Sequence, residues 1–231
     1  MTNWRILIAD DDMIVRRTLE SSLLRDGFEV VTAVDGPMAL SKVEHRWPDL
    51  AILDLDMPGM SGFEVSDHLR KAIEIPILML TSHGELETTV LGLEKYADDY
   101  MTKPFRYPEL RARINRLLVK AYEGGLHPGE RVVIDERLSI DFGHRVASLA
   151  GTQIPLTPIE ARILFILVQN RGRIVPTGTL LRKGWGLGEE GDQASLWVRM
   201  RNLRSKLESS AGGQPYIHTE RGTGYRFIHA G

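Results

Sequence analysis

Four short apolar runs in the first half of the chain, Ile6-Leu7-Ile8-Ala9, Leu50-Ala51-Ile52-Leu53, Ile77-Leu78-Met79-Leu80 and Tyr100-Met101-Thr102, show no alternation of apolar and polar residues. Strands of that kind are apolar on both faces, and a parallel sheet covered by helices on both sides accommodates several of them at once. Each run ends at residues suited to phosphoryl chemistry: Asp10-Asp11-Asp12, Asp54, Thr81-Ser82 and Lys103-Pro104. Open α/β sheets carry their sites just beyond the carboxyl ends of the strands. One pocket is therefore expected to collect three carboxylates, a hydroxyl and an ammonium.

The spacing between the runs agrees with that layering. Apolar residues recur every three or four positions over Met13–Arg25, Pro37–Arg46, Gly62–Ala72, Leu86–Lys95 and Tyr107–Ala121, each following one strand, with the second strand at Phe28–Ala33. Five β-α units predict a doubly wound, five-stranded parallel sheet. A length of 231 residues exceeds a typical domain of about 100–150, and 42% hydrophobic content supplies two modest cores. Residues 123–130, with Gly124, Gly125, Gly129 and Pro128, read as a linker between domains at 1–122 and 131–231.

Beyond the linker come short β-rich pieces, Arg131–Ile134, Leu138–Asp141, Arg145–Leu149 and Gln153–Leu156, and then helices. Thr157, Pro158 and Glu160 supply the N-cap, the N1 proline and the N3 acid of a capping box ahead of Ile163–Val168. A second helix is predicted over Thr177–Lys183, and a loop with Gly184, Gly186, Gly188 and Gly191 leads to a third at about Asp192–Ser209. In that helix Leu196, Met200, Leu203 and Leu207 form a core stripe that turns Arg201, Arg204 and Ser205 outward. Trp197, beside the stripe, is expected to pack against a neighbouring loop. Tyr216–His218 and Gly224–Ile228 read as a β-hairpin.

Composition narrows the chemistry. The chain has no cysteine, which excludes disulfides, thiolate zinc sites and cysteine nucleophiles. No apolar run approaches the roughly 18 residues of a membrane span, so a soluble, cytoplasmic protein without membrane attachment is expected. The net charge of −2 conceals an imbalance: residues 1–122 carry −5 and residues 123–231 carry +3. Arg199, Arg201, Arg204 and Lys206 fall within eight residues that contain no acid, which points the second half toward an anion.

Asp10, Asp11 and Asp54 gathered in one place repel one another unless a cation joins them, and Mg²⁺ suits an all-oxygen set. Asp54 can then attack phosphorus while Thr81 and Lys103 neutralise charge on the transferring group. A haloacid-dehalogenase-like phosphatase also uses a strand-end Asp, a second Asp two residues on, Thr/Ser, Lys and Mg²⁺, and Asp54-Leu55-Asp56 fits that superficially. Its nucleophile normally sits on the first strand, however, and its motif continues to Thr or Val where this chain has Pro58.

The ordered set Asp10/Asp11, Asp54-Leu55-Asp56-Met57-Pro58-Gly59, Thr81 and Lys103-Pro104 resembles the flavodoxin-like receiver domain of two-component response regulators. Leu156-Thr157-Pro158-Ile159-Glu160, Leu203-Arg204-Ser205-Lys206-Leu207 and Thr219-Glu220-Arg221-Gly222-Thr223-Gly224-Tyr225-Arg226 resemble the α+β winged-helix domain of the OmpR/PhoB group. The resemblance implies a transcriptional regulator rather than a dedicated enzyme, with the receiver catalysing its own phosphorylation and dephosphorylation. Asp54 is then the phosphoacceptor for a sensor histidine kinase. Asp11, Asp54 and the backbone carbonyl of Asp56 ligate Mg²⁺, with Asp10 supporting the metal. Thr81 and Lys103 hold the phosphoryl group, Tyr100 is the aromatic switch, and the Lys103-Pro104 bond is cis.

The same resemblance implies a homodimer formed on phosphorylation, with Asp99 and Arg113 pairing across its interface, and double-stranded promoter DNA as the target, with RNA polymerase as a further partner. Arg199, Arg201, Asn202 and Arg204 on the helix, with Thr219 and Arg221 on the wing, are the expected DNA contacts. Ala194, Trp197 and Arg199 stand where the family commonly has Arg, Asp and His, Asn202 replaces a frequent second Arg, and Thr89 replaces a basic partner for Glu109. An altered base-reading set and a weakened dimer are expected. A receiver that dimerises without phosphate is the alternative.

Overall fold

The computed structural model describes residues 4–82, 96–122, 125–185, 191–208 and 215–228. The helix expected at Leu86–Lys95, with Thr89, and the glycines at 186 and 188 lie outside the described residues. The chain divides into two compact units, Met1–Arg70 with Glu74–Gly129 and Lys71–Ile73 with Glu130–Gly231.

In the first unit, β1 (Arg5–Ala9), β2 (Glu29–Ala33), β3 (Leu50–Asp54), β4 (Ile77–Thr81) and β5 (Asp99–Thr102) form one parallel sheet in the order β2-β1-β3-β4-β5. The helices α1 (Met13–Arg25), α2 (Gly36–His45), α3 (Gly62–Ala72) and α4 (Tyr107–Tyr122) alternate with the strands. Every residue of β3 and β4 is buried, as their unalternated apolar runs require. Ile6, Ile8, Leu50, Ile52, Leu78 and Leu80 pack with Leu19 and Leu23 of α1 and with Leu110, Ile114, Leu117 and Leu118 of α4. Leu7, Ala51, Leu53 and Met79, one residue out of phase and also fully buried, belong to the opposite face.

Part of the stretch expected to link the domains is hydrogen-bonded to the first unit. Asp49, fully buried, accepts hydrogen bonds from the Arg5 amide (2.8 Å), the Gly129 amide (2.9 Å) and His127 Nδ1 (2.8 Å), while Tyr122 donates to its carbonyl (2.9 Å). Trp4 stacks on Tyr122 with centroids 5.4 Å apart and meets the His127 ring at 4.5 Å. Residues up to Gly129 are thus tied to the amino-terminal edge of the sheet, because one carboxylate satisfies donors that would otherwise be buried unpaired. Asp49→Ala strands three donors, so urea denaturation of the full chain should show the first unit weakened by about 3 kcal/mol; an unchanged midpoint would contradict this anchoring role.

The second unit opens with an antiparallel sheet of β6 (Arg131–Val133), β7 (Leu138–Asp141), β8 (Val146–Leu149) and β9 (Thr152–Pro155), in that order. Three helices follow: α5 (Pro158–Gln169), α6 (Thr177–Gly184) and α7 (Gln193–Leu207). The capping box at the start of α5 is complete, and Glu160, nearly fully buried, also takes Lys206 Nζ of α7 at 2.7 Å. Strands β11 (Ile217–Glu220) and β12 (Gly224–Phe227) form the expected hairpin. The sequence reading missed β10 (Ile174–Pro176), which pairs with β12 on the side away from β11. Three residues, one a proline, carry too little pattern to read. Gly224 is needed here, since a Cβ would run into the Val175 carbonyl.

Candidate functional site

The strand order reverses direction between β1 and β3, and open α/β sheets form a crevice at that point, beyond the carboxyl ends. Asp10 and Asp54 follow or end those two strands, in which Ala9 lies opposite Leu53. The carboxylates of Asp10, Asp11 and Asp54 lie within 4.8 Å of one another, Asp10 and Asp54 buried and Asp11 exposed. Lys103, just past β5, reaches back to Asp10 Oδ2 (2.8 Å) and Asp54 Oδ1 (2.9 Å). The Lys103 amide donates a hydrogen bond to the Thr81 carbonyl (2.7 Å), which fixes the chain at this point, and the Lys103-Pro104 peptide is cis. Glycine is required at position 62, where a Cβ would collide with the Asp54 carbonyl as α3 begins.

Asp10 is held in place, its Oδ1 accepting from the Asp12 amide at 2.9 Å. Asp12 caps α1 by accepting from the amides of Ile14 (2.7 Å) and Val15 (3.3 Å), a structural task. Asp56 is exposed and lies outside the three-carboxylate group. Thr81 is almost fully buried at the end of β4, and Tyr100 is half-buried on β5. Burial raises the Tyr100 phenol to about 12.

Burial pushes both Asp10 and Asp54 above the ordinary carboxylate range, although hydrogen bonds from Lys103 oppose it; nearby acids, Asp54 for Asp10 and Asp11 for Asp54, add to the rise. For Lys103, burial pulls downward, but its two carboxylate partners prevail and the ammonium is held above its usual value. A carboxyl with a raised folded value contributes stability below its unfolded value and loses it as pH rises through the folded one. At neutral pH the ionised pair therefore counts against the fold, and one lysine offsets only part of three negative charges. A small divalent cation completes the balance, and an oxygen-only donor set fits Mg²⁺.

Asp99 and Arg113, expected to face each other across a dimer, pair within the single chain at 2.9 and 3.0 Å, and Arg116 joins Asp99 at 2.6 Å. Arg113 also binds Glu109 of its own helix at 2.7 Å. Both Arg113 partners are thus supplied from within, one of them the acid whose basic partner the sequence lacks.

In the second unit, Leu196, Met200, Leu203 and Leu207 are buried as the stripe predicts. Arg204 does not project outward: its Nε donates to the Ile217 carbonyl (3.0 Å), its terminal nitrogen to Thr219 Oγ1 (2.7 Å), and its guanidinium lies 5.9 Å from the Tyr225 ring centroid. It binds helix to hairpin instead of standing free. Arg199 is half-buried with its Nε enclosed, and Asn202 is half-buried. Arg201 is exposed. Trp197 is 57% exposed, and the Arg201 guanidinium lies 5.8 Å from its ring centroid. Arg221 stands exposed at the hairpin tip beside Gly222, whose φ is +75°. The periodicity placed the stripe, but Arg204's capture depends on a hairpin more than ten residues away.

Residues 6–115 match the response regulator receiver domain family, and residues 151–227 match the C-terminal domain of transcriptional regulatory proteins. The chain is 39% identical over 229 residues to a probable transcriptional regulator ycf27 of Cyanophora paradoxa, covering 96% of this chain and 95% of that protein. It is 37% identical to the alkaline phosphatase synthesis transcriptional regulatory protein PhoP of Bacillus subtilis (97% and 96%). To the sensory transduction protein RegX3 of Mycobacterium tuberculosis it is 34% identical (96% and 97%). The crystal structure of response regulator DrrB, a Thermotoga maritima OmpR/PhoB homolog, shares 27% identity over 98% of this chain and 99% of its own, with a TM-score of 0.46. No helix among the described residues is long and apolar enough to cross a membrane. With a receiver in front, a transcriptional regulatory domain behind and full-length relatives of the same build, the chain belongs to the OmpR/PhoB-type response regulators, phosphorylation-controlled DNA-binding transcriptional regulators.

Proposed function

We propose that Asp54 accepts the phosphoryl group from a sensor histidine kinase. The observation that carries this reading is the convergence of Asp10, Asp11 and Asp54 within 4.8 Å around the Lys103 ammonium. A carboxylate oxygen of Asp54 forms the new bond to phosphorus as the phosphorus–nitrogen bond of the donor histidine breaks, and the departing imidazole nitrogen regains its proton from solvent. Asp11, Asp54 and the backbone carbonyl of Asp56, supported by Asp10, would hold Mg²⁺, which would supply positive charge to the transferring group. Lys103 shifts from a carboxylate to a phosphoryl oxygen, and Thr81 donates its hydroxyl to another. Tyr100, on the strand that leads to Lys103, is the residue placed to follow that movement. The receiver in this reading serves its own phosphorylation and its own dephosphorylation.

Phosphorylation then drives homodimerisation through the face of β5 and α4, the winged helix binds promoter DNA, and the bound dimer engages RNA polymerase. Since Asp99 and Arg113 already pair within one chain, dimerisation exchanges an internal ion pair for an external one, which is nearly neutral in energy. Light scattering of the full chain with Mg²⁺ and beryllofluoride should show a larger dimer fraction than without the mimic. Arg113→Ala should raise the dimer dissociation constant by no more than about five-fold, the ceiling for a surface pair. An equal dimer fraction with and without beryllofluoride would point to phosphate-independent dimerisation instead.

A further inference from the structure

The outward face of α7 is not the basic surface that its four cations suggest. Leu196, Met200, Leu203 and Leu207 are buried, and at 3.6 residues per turn Ala194, Val198, Arg201 and Ser205 lie on the far side of the helix with Trp197 on the flank between, all exposed. Arg204 is committed to the hairpin and Lys206 to Glu160 and the Pro155 carbonyl, while Arg199 is half-buried. That leaves Arg201 as the one charge on the face, beside a 57% exposed tryptophan and a 43% exposed valine. Exposed apolar side chains of this size, on the helix of a winged-helix module, suit an apolar feature of the major groove. The thymine C5-methyl is the principal one there.

We propose that Trp197, with Val198, reads thymine methyl groups in the major groove, and that the Trp197 ring holds Arg201 in position for a neighbouring guanine. This rests on the assignment of α7 as the DNA-reading helix. The choice of DNA over a protein partner follows from the setting: residues 193–207 contain no acid, the one charge on the face is the cation Arg201, and a second cation, Arg221, stands exposed on the adjoining hairpin. The stack supplies the second part. A guanidinium about 6 Å from an indole centroid is within cation–π range, which restricts its rotamers before DNA arrives.

The test uses the full chain with beryllofluoride and a DNA site selected from a random library, followed by anisotropy titrations in which each thymine is replaced in turn by deoxyuridine. That change removes one methyl and nothing else. Wild type should lose about three- to ten-fold in affinity at one or two positions, the range expected for a buried methyl. Trp197→Ala should bind thymine and uracil sites alike at those positions, and should also relax the preference for guanine next to them. Because the side chain is exposed, the variant keeps its fold, which circular dichroism verifies. Uracil tolerated everywhere by wild type, or discrimination retained in Trp197→Ala, would overturn the proposal. Full DNA affinity in Trp197→Ala with no uracil effect would assign the face to a protein partner. A wild-type chain that selects no DNA would overturn the assignment of α7 itself, a failure distinct from loss of methyl reading alone.

Discussion

Acetyl phosphate with Mg²⁺ is expected to add one phosphoryl group to the wild-type chain and none to Asp54→Asn, as read by intact mass. The three clustered acids are not equivalent. Asp10 is fully buried, with one oxygen on the Asp12 amide and the other on Lys103, so both of its oxygens are already engaged in holding the loop and the lysine. Asp11 is exposed and suited to the cation. Asp54 combines burial, a raised carboxyl and a cation at 2.9 Å that can transfer to a phosphoryl oxygen. Asparagine keeps the shape and removes one of three like charges, so the variant should remain folded, and its stability without metal should equal or exceed that of wild type at neutral pH. Equal labelling of both proteins would falsify the assignment of Asp54, and wild type that binds Mg²⁺ yet takes no label would do the same.

The second large effect is expected at Arg204. Two of its five donors hold the Ile217 carbonyl and Thr219 before any DNA is present, which fixes the hairpin against the helix. Charge-assisted hydrogen bonds of this kind contribute about 1.5–3 kcal/mol, so Arg204→Ala should lower affinity for a selected site by roughly ten- to a hundred-fold. Lysine should not restore it, because one ammonium cannot serve two acceptors in the guanidinium geometry. The salt dependence separates Arg204 from its neighbours. Arg221→Ala should reduce the slope of log affinity against log salt by about one and act mainly where flanking DNA is A·T-rich, while Arg204→Ala should leave the slope nearly intact. A full unit lost from the slope in Arg204→Ala would show that the side chain leaves the hairpin for a backbone phosphate.

Much of the first unit was legible because its determinants are local. A strand buried on both faces has to be apolar throughout, which marks β1, β3 and β4, and the residues at their carboxyl ends are brought together by the parallel arrangement alone. The capping box at Thr157 to Glu160 was legible for the same reason, since donor and acceptor lie three residues apart. What escaped depends on partners distant in sequence. Asp49 looks like an ordinary loop acid until His127 and Gly129, some 80 positions on, close around it. Glycines and a proline mark a linker, and no local pattern shows that a buried carboxylate takes hold of His127 and Gly129 within it. The approach of Arg201 to the Trp197 ring was not legible either, because an indole next to a core stripe gives no local sign of which side chain lies over it.

The division of labour along α7 bears on how such a regulator can change over generations. Leu196, Met200, Leu203, Leu207, Arg204 and Lys206 are bound into the module, so drift at any of them needs a matching change elsewhere, in Glu160, Thr219 or the core. Ala194, Trp197, Val198 and Ser205 make no hydrogen bond that fixes the side chain of one of them to another part of the described fold, so substitutions there should stay within about 0.5 kcal/mol of neutral for stability. If this face reads promoter DNA as proposed, duplicated copies of the chain can acquire separate sets of promoters by altering these few positions, each intermediate still folding.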